Sequence, residues 1–304
     1  MTERGTAVIT GPTGAVGTAL TEELLEAGWK VYAVTHPASR RTDSIPSGAH
    51  LLSLDLSEMG ALPEKVGHAD AFFHLGWRGT IGPGRNDMRM QEANIRASLD
   101  AVEAARDMGC EVFVGAGSQA EHGRIEGRMC ADSPCAPLNG YGIAKLCAGQ
   151  MTRIHCRAFG IRHVWARILS VYGPHDNPRS VIPMLMEALR RGEDMPLTAG
   201  EQEWDYLFSH DAARALIALA GSGKDGHIYP VGSGQVRTLR SCFELVRDLM
   251  APGRALRLGE LEYPAGQVMH LEADISGIRQ DTGWKPQVPF EEGIRRTVEA
   301  LKRE

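Results

Sequence analysis

The chain has 304 residues, of which 43% are hydrophobic and 23% charged, the balance of an ordinary globular protein long enough to bury a core without disulfides or metals. Thirty-three basic against 38 acidic residues leave a formal net charge of -5, and the few lysines are too scattered to build a nucleic-acid groove. Disorder, collagen and coiled coil are excluded, and the length allows one large domain or two modest ones.

No apolar run approaches the roughly 18–20 residues that span a bilayer. The opening Met1-Thr2-Glu3-Arg4-Gly5 lacks the layout of a secretory signal. Six cysteines (Cys110, Cys130, Cys135, Cys147, Cys156, Cys242) contain no Cys-x-x-Cys pair. Reduced, packed thiols in a cytoplasmic protein are therefore expected.

Strands are predicted at Thr6–Thr10, Lys30–Val34, His50–Ser53, Ala71–His74, Glu111–Gly115 and His163–Ile168. Helix-period segments fall between them, clearest at Ala15–Ala27, Asn94–Met108 and Ala144–Ala158. That alternation predicts an α/β fold, a Rossmann-like doubly wound parallel sheet. The run Ala71-Phe72-Phe73-His74-Leu75 suits a strand covered on both faces. Residues 1–172 are expected to form the dinucleotide-binding domain. Past Gly173-Pro174 the alternation ends, with helices at Ile182–Arg191, Asp211–Ala220, Leu239–Met250 and Phe290–Leu301. This loop-rich part, 173–304, is expected to be mainly a smaller C-terminal substrate-binding cap, with the chain returning to the first domain around 205–230. Such a cap would sit at the carboxyl ends of the strands, where open α/β sheets bind ligands.

The first strand runs into Gly11-Pro12-Thr13-Gly14-Ala15-Val16-Gly17, and Leu20, Leu24 and Leu25 continue at helical spacing. Glycines let the backbone approach a pyrophosphate, and the helix start offers free N–H groups to it. Gly11, Thr13, Gly14, Ala15, Val16 and Gly17 are thus candidate cofactor ligands. A glycine triplet alone is a weak signal, and its place at the first strand–helix junction gives it weight. The second strand ends Val34-Thr35-His36-Pro37-Ala38-Ser39-Arg40-Arg41, with no carboxylate for a ribose 2′-OH. NAD and NADP both remain open, with a slight lean to NADP and with His36, Ser39 and Arg40 as contacts. The two arginines fit equally well as solvated loop charges. Asp55 and Leu56 suit an adenine-edge contact, and Asp55 also suits a helix cap.

Strand Val112–Gly115 leads to Ser118, and Tyr141 and Lys145 follow at i and i+4, on one helix face. A phenol titrates near 10, too high for acid/base work at neutral pH. A cation about 4 Å away contributes on the order of 4 kcal/mol at an effective dielectric near 20. That is roughly three pKa units, so Lys145 is expected to bring Tyr141 toward physiological pH. Ser118 would hold a carbonyl or hydroxyl oxygen beside it while hydride passes to or from a nicotinamide.

With these motifs the chain resembles the extended short-chain dehydrogenase/reductases, specifically the NAD-dependent epimerase/dehydratase family that includes UDP-glucose 4-epimerase. The resemblance spans nearly the whole chain. It takes in His74-Leu75-Gly76, Asn94, Arg167-Ile168-Leu169-Ser170-Val171-Tyr172-Gly173-Pro174, Trp204 through Asp211, and Ala273-Asp274 through Gly283-Trp284-Lys285-Pro286. It implies that Leu75, Gly76 and Asn94 line the cofactor site and that Ile168 and Val171 lie by the nicotinamide. It also implies a sugar-nucleotide cap, and a homodimer built on the helices beginning near Asn94 and Tyr141.

Departures from the family pattern bear on the reaction. The family's 4,6-dehydratases carry an Asp-Glu pair after the motif serine, where this chain has Gln119 and Ala120. A dehydratase is therefore not expected. Ser170 stands where a sugar-contacting Asn is usual, and Trp204 where a diphosphate-binding Arg is usual. Tyr263–Leu271 also lacks the expected Arg, leaving Arg179, Arg237 or Arg240 to substitute. Trp77, Gln119, His122, Ser170 and Trp204 are the candidate substrate contacts, with Arg78 and Glu121 nearby. His155, His163 and His227 have no ligand-like spacing, and no metal site is expected. The leading expectation is an NAD(P)-dependent 4-epimerase or 4-ketoreductase of a nucleotide sugar, with Tyr141 as acid/base. The alternatives are a reductase or dehydrogenase of a non-nucleotide carbonyl or alcohol, and a non-catalytic nucleotide-sensing module.

Overall fold

In the first strand, Ala7 and Ile9 face one way and Val8 the other, and all three are fully buried. A strand apolar on both sides must be covered on both sides. The computed structural model, which describes residues 4–125, 127–264 and 266–302, places it at the centre of a parallel sheet. The strands are β1 (Thr6–Thr10), β2 (Lys30–Thr35), β3 (His50–Ser53), β4 (Ala71–His74), β5 (Val112–Ser118), β6 (Arg162–Ile168) and β7 (His227–Val231). Their spatial order is β3-β2-β1-β4-β5-β6-β7.

Seven longer helices accompany them: α1 (Ala15–Glu26), α2 (Met88–Asp107), α3 (Gly140–Phe159), α4 (Val181–Arg191), α5 (Ser209–Ser222), α6 (Leu239–Met250) and α7 (Phe290–Leu301). On one face Ala7 and Ile9 pack with Leu20 and Leu24 of α1 and Leu216 and Leu219 of α5. On the other, Val8, Phe72 and Phe113 pack with Ala101, Val102 and Ala105 of α2 and Cys156 of α3. This is the doubly wound Rossmann-like sheet that the alternation predicts. None of the helices among the described residues is long and apolar enough to cross a membrane.

Strand order reverses between β1 and β4, and the turns that follow these two strands pass very close. A Cβ at Gly11, whose φ is +72°, would lie 2.8 Å from the Gly76 nitrogen. The crevice at the carboxyl ends of the strands opens at this switch point.

Two predicted helices begin earlier than expected. Asp87 caps α2 by accepting the Met90 N–H at 3.1 Å, so the helix starts at Met88. Asn139 caps α3 by accepting the Gly142 N–H at 2.9 Å, which puts Tyr141 in the first turn. β7 was not among the predicted strands. It is an edge strand paired only with β6, so Pro230, which has no N–H to give, is tolerated within it.

Beyond the sheet, α4, α6 and α7 enclose a second core around Tyr172, Leu185, Phe243 and Ile294. Short strands were missed here. Ser170–Tyr172 pairs with Tyr206–Phe208, and Arg237–Thr238, Glu203–Trp204, His270–Ala273 and Arg128–Met129 form a small sheet. Two to four residues each are too short to show a period.

Candidate active site

The end of β5 is shaped by a reciprocal cap. The Ser118 hydroxyl accepts the Ala120 N–H at 3.2 Å, and the Glu121 carboxylate accepts the Ser118 N–H at 2.8 Å. Ser118 lies in register with Ile168 at the end of β6. From α3, Tyr141 and Lys145 converge on the same place. All three are nearly closed off from solvent: Ser118 is 8% exposed, Tyr141 9% and Lys145 3%.

Burial pushes the Tyr141 phenol above its ordinary pKa, against a hydrogen bond from the Ser118 hydroxyl and the Arg85 cation, which favour the phenolate. Arg85 lies 4.7 Å from the centre of the Tyr141 ring. Lys145 donates to the Ala116 carbonyl at 2.6 Å, and its ammonium sits 3.8 Å over the Trp77 indole. Burial pulls its pKa down to about 7. The expected lowering of Tyr141 by Lys145 is thus corrected. The Coulomb argument omitted desolvation, and the cation acting on the phenol is Arg85.

Gly14 precedes α1 with no side-chain cap on the first turn, and a Cβ there would have no neighbour within 4 Å. Gly17 is closed in, since its Cβ would lie 2.2 Å from the Gly11 carbonyl oxygen. Uncapped N–H groups behind an open glycine fit a pyrophosphate. Ala15 opens α1. A cavity of about 200 Å³ beside this turn is lined by Gly11, Thr13, His36, Ser39, Leu56 and Gly76, and also by Trp77 and Arg78. Val16, Leu75, Ile168 and Val171 are partly buried against the core on the α1 side.

Asp55 acts as the helix cap. It accepts the Ser57 N–H at 2.9 Å as a cap, lies 3.0 Å from His36 Nε2 and pairs with Arg78. Asn94 is buried behind the cavity, clamping the Arg78 backbone through both its oxygen (3.0 Å) and its nitrogen (2.9 Å). Arg40 is exposed, while Arg41 donates to the His175 carbonyl.

The substrate candidates separate. Ser170 and Trp204 meet, the indole N–H donating to the hydroxyl at 2.6 Å. Gln119 lines a narrow crevice with Met129, His270 and Glu272. Trp77 stands on the cofactor side, its indole N–H donating to Gln91 at 2.9 Å and its ring edge-on to Tyr141 at 6.2 Å. His122 is turned inward, with Nδ1 3.1 Å from the Pro134 carbonyl and Nε2 3.0 Å from Arg167. Of the substitute cations, Arg237 pairs with Glu291 at 2.9 Å and stacks on Phe290, and Arg240 donates to the Ala199 carbonyl at 3.2 Å. Arg179 is an exposed loop residue. Among the described residues no group of three or more His, Cys, Asp or Glu could hold a metal ion.

Sequence reasoning missed Thr10, whose hydroxyl accepts the Gly76 N–H at 3.0 Å, and Gln91, which ties down the carbonyls of Gly79 and Gly84. It also missed Arg85 and Arg167. The Ser118-x-x-Glu121 spacing of a capping box was a readable signal for Glu121.

The family model for the NAD dependent epimerase/dehydratase family matches residues 7–232. Over 319 residues the chain is 26% identical to an uncharacterised UDP-glucose epimerase of Bacillus subtilis (strain 168), covering 97% of each. Its structure is similar to that of a UDP-N-acetylglucosamine 4-epimerase from Methanobrevibacter ruminantium M1, with 25% identity, a TM-score of 0.89 and 99% of both chains covered. A dTDP-glucose 4,6-dehydratase from Streptomyces venezuelae, with NAD and TYD bound, shares the fold at 21% identity and a TM-score of 0.87, covering 98% of this chain and 97% of that one. The family's cofactor is NAD, and the lean toward NADP gains no support, since Arg41 is spent on the His175 carbonyl. The chain belongs to the NAD dependent epimerase/dehydratase family.

Proposed function

We propose that the protein is an NAD-dependent enzyme that moves hydride at C4 of a nucleotide sugar, as a 4-epimerase or a 4-ketoreductase. The observation that carries this reading is that Ser118 bonds to Tyr141, while Tyr141 and Lys145 both pack on Trp77, which lines the cavity at the glycine turn. NAD, when bound, supplies the hydride acceptor. The first turn of α1 would hold its pyrophosphate, with Thr13, His36, Ser39 and Leu56 toward the adenosine and Ile168 and Val171 toward the other end.

Tyr141 is the acid/base in this scheme. Its phenolate, disfavoured by burial and by Glu121 but favoured by the Ser118 hydrogen bond and by Arg85, takes the C4 hydroxyl proton as the C4 hydride departs. In the reverse step the phenol returns that proton to the oxygen. Burial of all three side chains keeps water from competing. Gln119 and Ala120 carry no ionisable group for an elimination, which disfavours a dehydratase. Residues 173–304, apart from the return through α5 and β7, would serve as the substrate cap.

With a UDP-hexose, interconversion of C4 epimers without net NADH formation is the expected result. Consumption of one NADH per 4-keto sugar would assign the reductase instead. Absence of both, together with no binding of UDP, CDP, GDP or dTDP, would overturn the nucleotide-sugar reading. The engagement of Arg237 and Arg240 elsewhere, with Trp204 bonded to Ser170, favours the second reading, a carbonyl or alcohol lacking a diphosphate.

We also propose a homodimer through α2 and α3. Ile143, Met151 and Ile154 of α3 are exposed, as is Met88 of α2, and the α3 spacing places its three on one stripe. Met151→Glu with Ile154→Glu is expected to give monomers in sedimentation velocity, where the unmodified protein sediments as a dimer. A monomeric parent protein at micromolar concentration would refute this.

A further inference from the structure

Ser118 is held from behind by a buried cluster that the proposed chemistry does not use. Glu121, three residues on, is fully buried. Its carboxylate accepts the Ser118 N–H at 2.8 Å, the Trp165 indole N–H at 3.0 Å and the Arg167 Nε–H at 2.7 Å. Arg167 is buried too, and its other nitrogens reach His122 Nε2 (3.0 Å), the Ala131 carbonyl (3.3 Å) and Cys135 Sγ (3.2 Å). His122 gives its Nδ1 proton to the Pro134 carbonyl, so Nε2 is the acceptor and the ring is neutral.

The Trp165 indole is gripped on both sides. A Cβ at Gly115, Gly117 or Gly149 would lie 2.3, 2.3 and 2.7 Å from it. Gly115 and Gly117 belong to β5 and Gly149 to α3. The strand that presents Ser118 and the helix that presents Tyr141 and Lys145 therefore close on one ring, and Glu121 holds that ring by its N–H. Ala116, whose carbonyl receives Lys145, sits between the two β5 glycines.

We propose that Glu121 is a positioning residue for this site. Clamped by Arg167 and Trp165, its carboxylate fixes the strand end that carries Ser118 and the Lys145 acceptor, and it sets the charge felt by the Tyr141 phenol. The proposal rests on reading Ser118, Tyr141 and Lys145 as the catalytic groups. An ion pair this deep is costly, and apolar side chains would fill the space as well. What apolar side chains would not supply is a carboxylate acceptor and a negative charge.

The charged groups acting on Tyr141 are Arg85 from the turn before α2 and Glu121. Lys145 faces Glu121 and, from β4, His74, which burial keeps neutral. Glu121 holds both the phenol and the ammonium toward their protonated forms. Removing its charge must lower the Tyr141 pKa.

The test is a tyrosinate absorbance titration in which Tyr141→Phe is subtracted to isolate the Tyr141 midpoint. Glu121→Gln is expected to lower that midpoint, with NAD affinity within about twofold of the parent. Should the unpaired arginine prevent folding, Glu121→Gln with Arg167→Met removes both charges, and its midpoint is also expected to fall. A folded variant with the parent midpoint would overturn the proposal and leave the cluster as packing alone. Turnover that survives Tyr141→Phe would instead sink the catalytic reading, with this titration still interpretable.

Discussion

Tyr141→Phe is expected to lower turnover by about 10²–10⁴-fold while leaving cofactor affinity within about twofold. The substitution removes one oxygen and keeps the ring, so the edge-on contact with Trp77 and the Arg85 stack persist. What is lost is the acceptor that Ser118 addresses and the only proton carrier proposed for the substrate oxygen. Single-turnover kinetics with calorimetric NAD titration would separate the two quantities. An unchanged rate would refute Tyr141 as acid/base.

Lys145→Met is expected to stabilise the fold. A lysine in the unfolded chain titrates near 10.4, whereas burial brings Lys145 to about 7. Between those two pH values the unfolded chain binds a proton that the folded chain does not, so folding stability rises as pH increases from about 7 to about 10. Below pH 7 the folded state carries the whole penalty, at most about 5 kcal/mol for a shift of this size. Methionine escapes it but cannot donate to the Ala116 carbonyl, a loss of about 1–2 kcal/mol. The net gain is at most about 3–4 kcal/mol at pH 6. It should shrink to nothing or reverse near pH 10.5. Urea unfolding at the two pH values measures it, and a variant less stable than the parent at pH 6 would contradict the argument.

Much of the sheet could be read from the sequence because its inner strands are apolar on both faces. β1, β3 and β4 begin and end where predicted, β2 and β6 differ by one residue at one end, and β5 differs by one residue at its start and three at its end. β7 escaped because an edge strand need not be apolar throughout and can hold Pro230. The cap's strands escaped because two-residue pairings have no period. In the site, Ser118, Tyr141 and Lys145 were legible because two lie one helical turn apart and the third ends a strand.

What surrounds those three was not legible. Arg85 and Trp77 come from the segment between β4 and α2, rich in glycine and without periodicity, and nothing in its spacing says which side chains fold back over Tyr141 and Lys145. Glu121 carried a local signature, but Arg167 is 46 residues away and on another strand. The error over Tyr141 has the same origin. Spacing reports which charges are near, while burial depends on everything packed around them.

The contact between Gly11 and Gly76 has a consequence for how the two walls of the cofactor crevice can vary. A side chain at position 11 would strike the Gly76 backbone, and one at position 76 would strike Leu56 and Thr10. The turns after β1 and β4, far apart in sequence, are therefore one mechanical part. A bulkier residue in either wall cannot be absorbed locally, and it would widen the mouth on both sides at once. Changes of ligand preference in this chain must come from the rim, at His36, Ser39 or Trp77, and not from the floor.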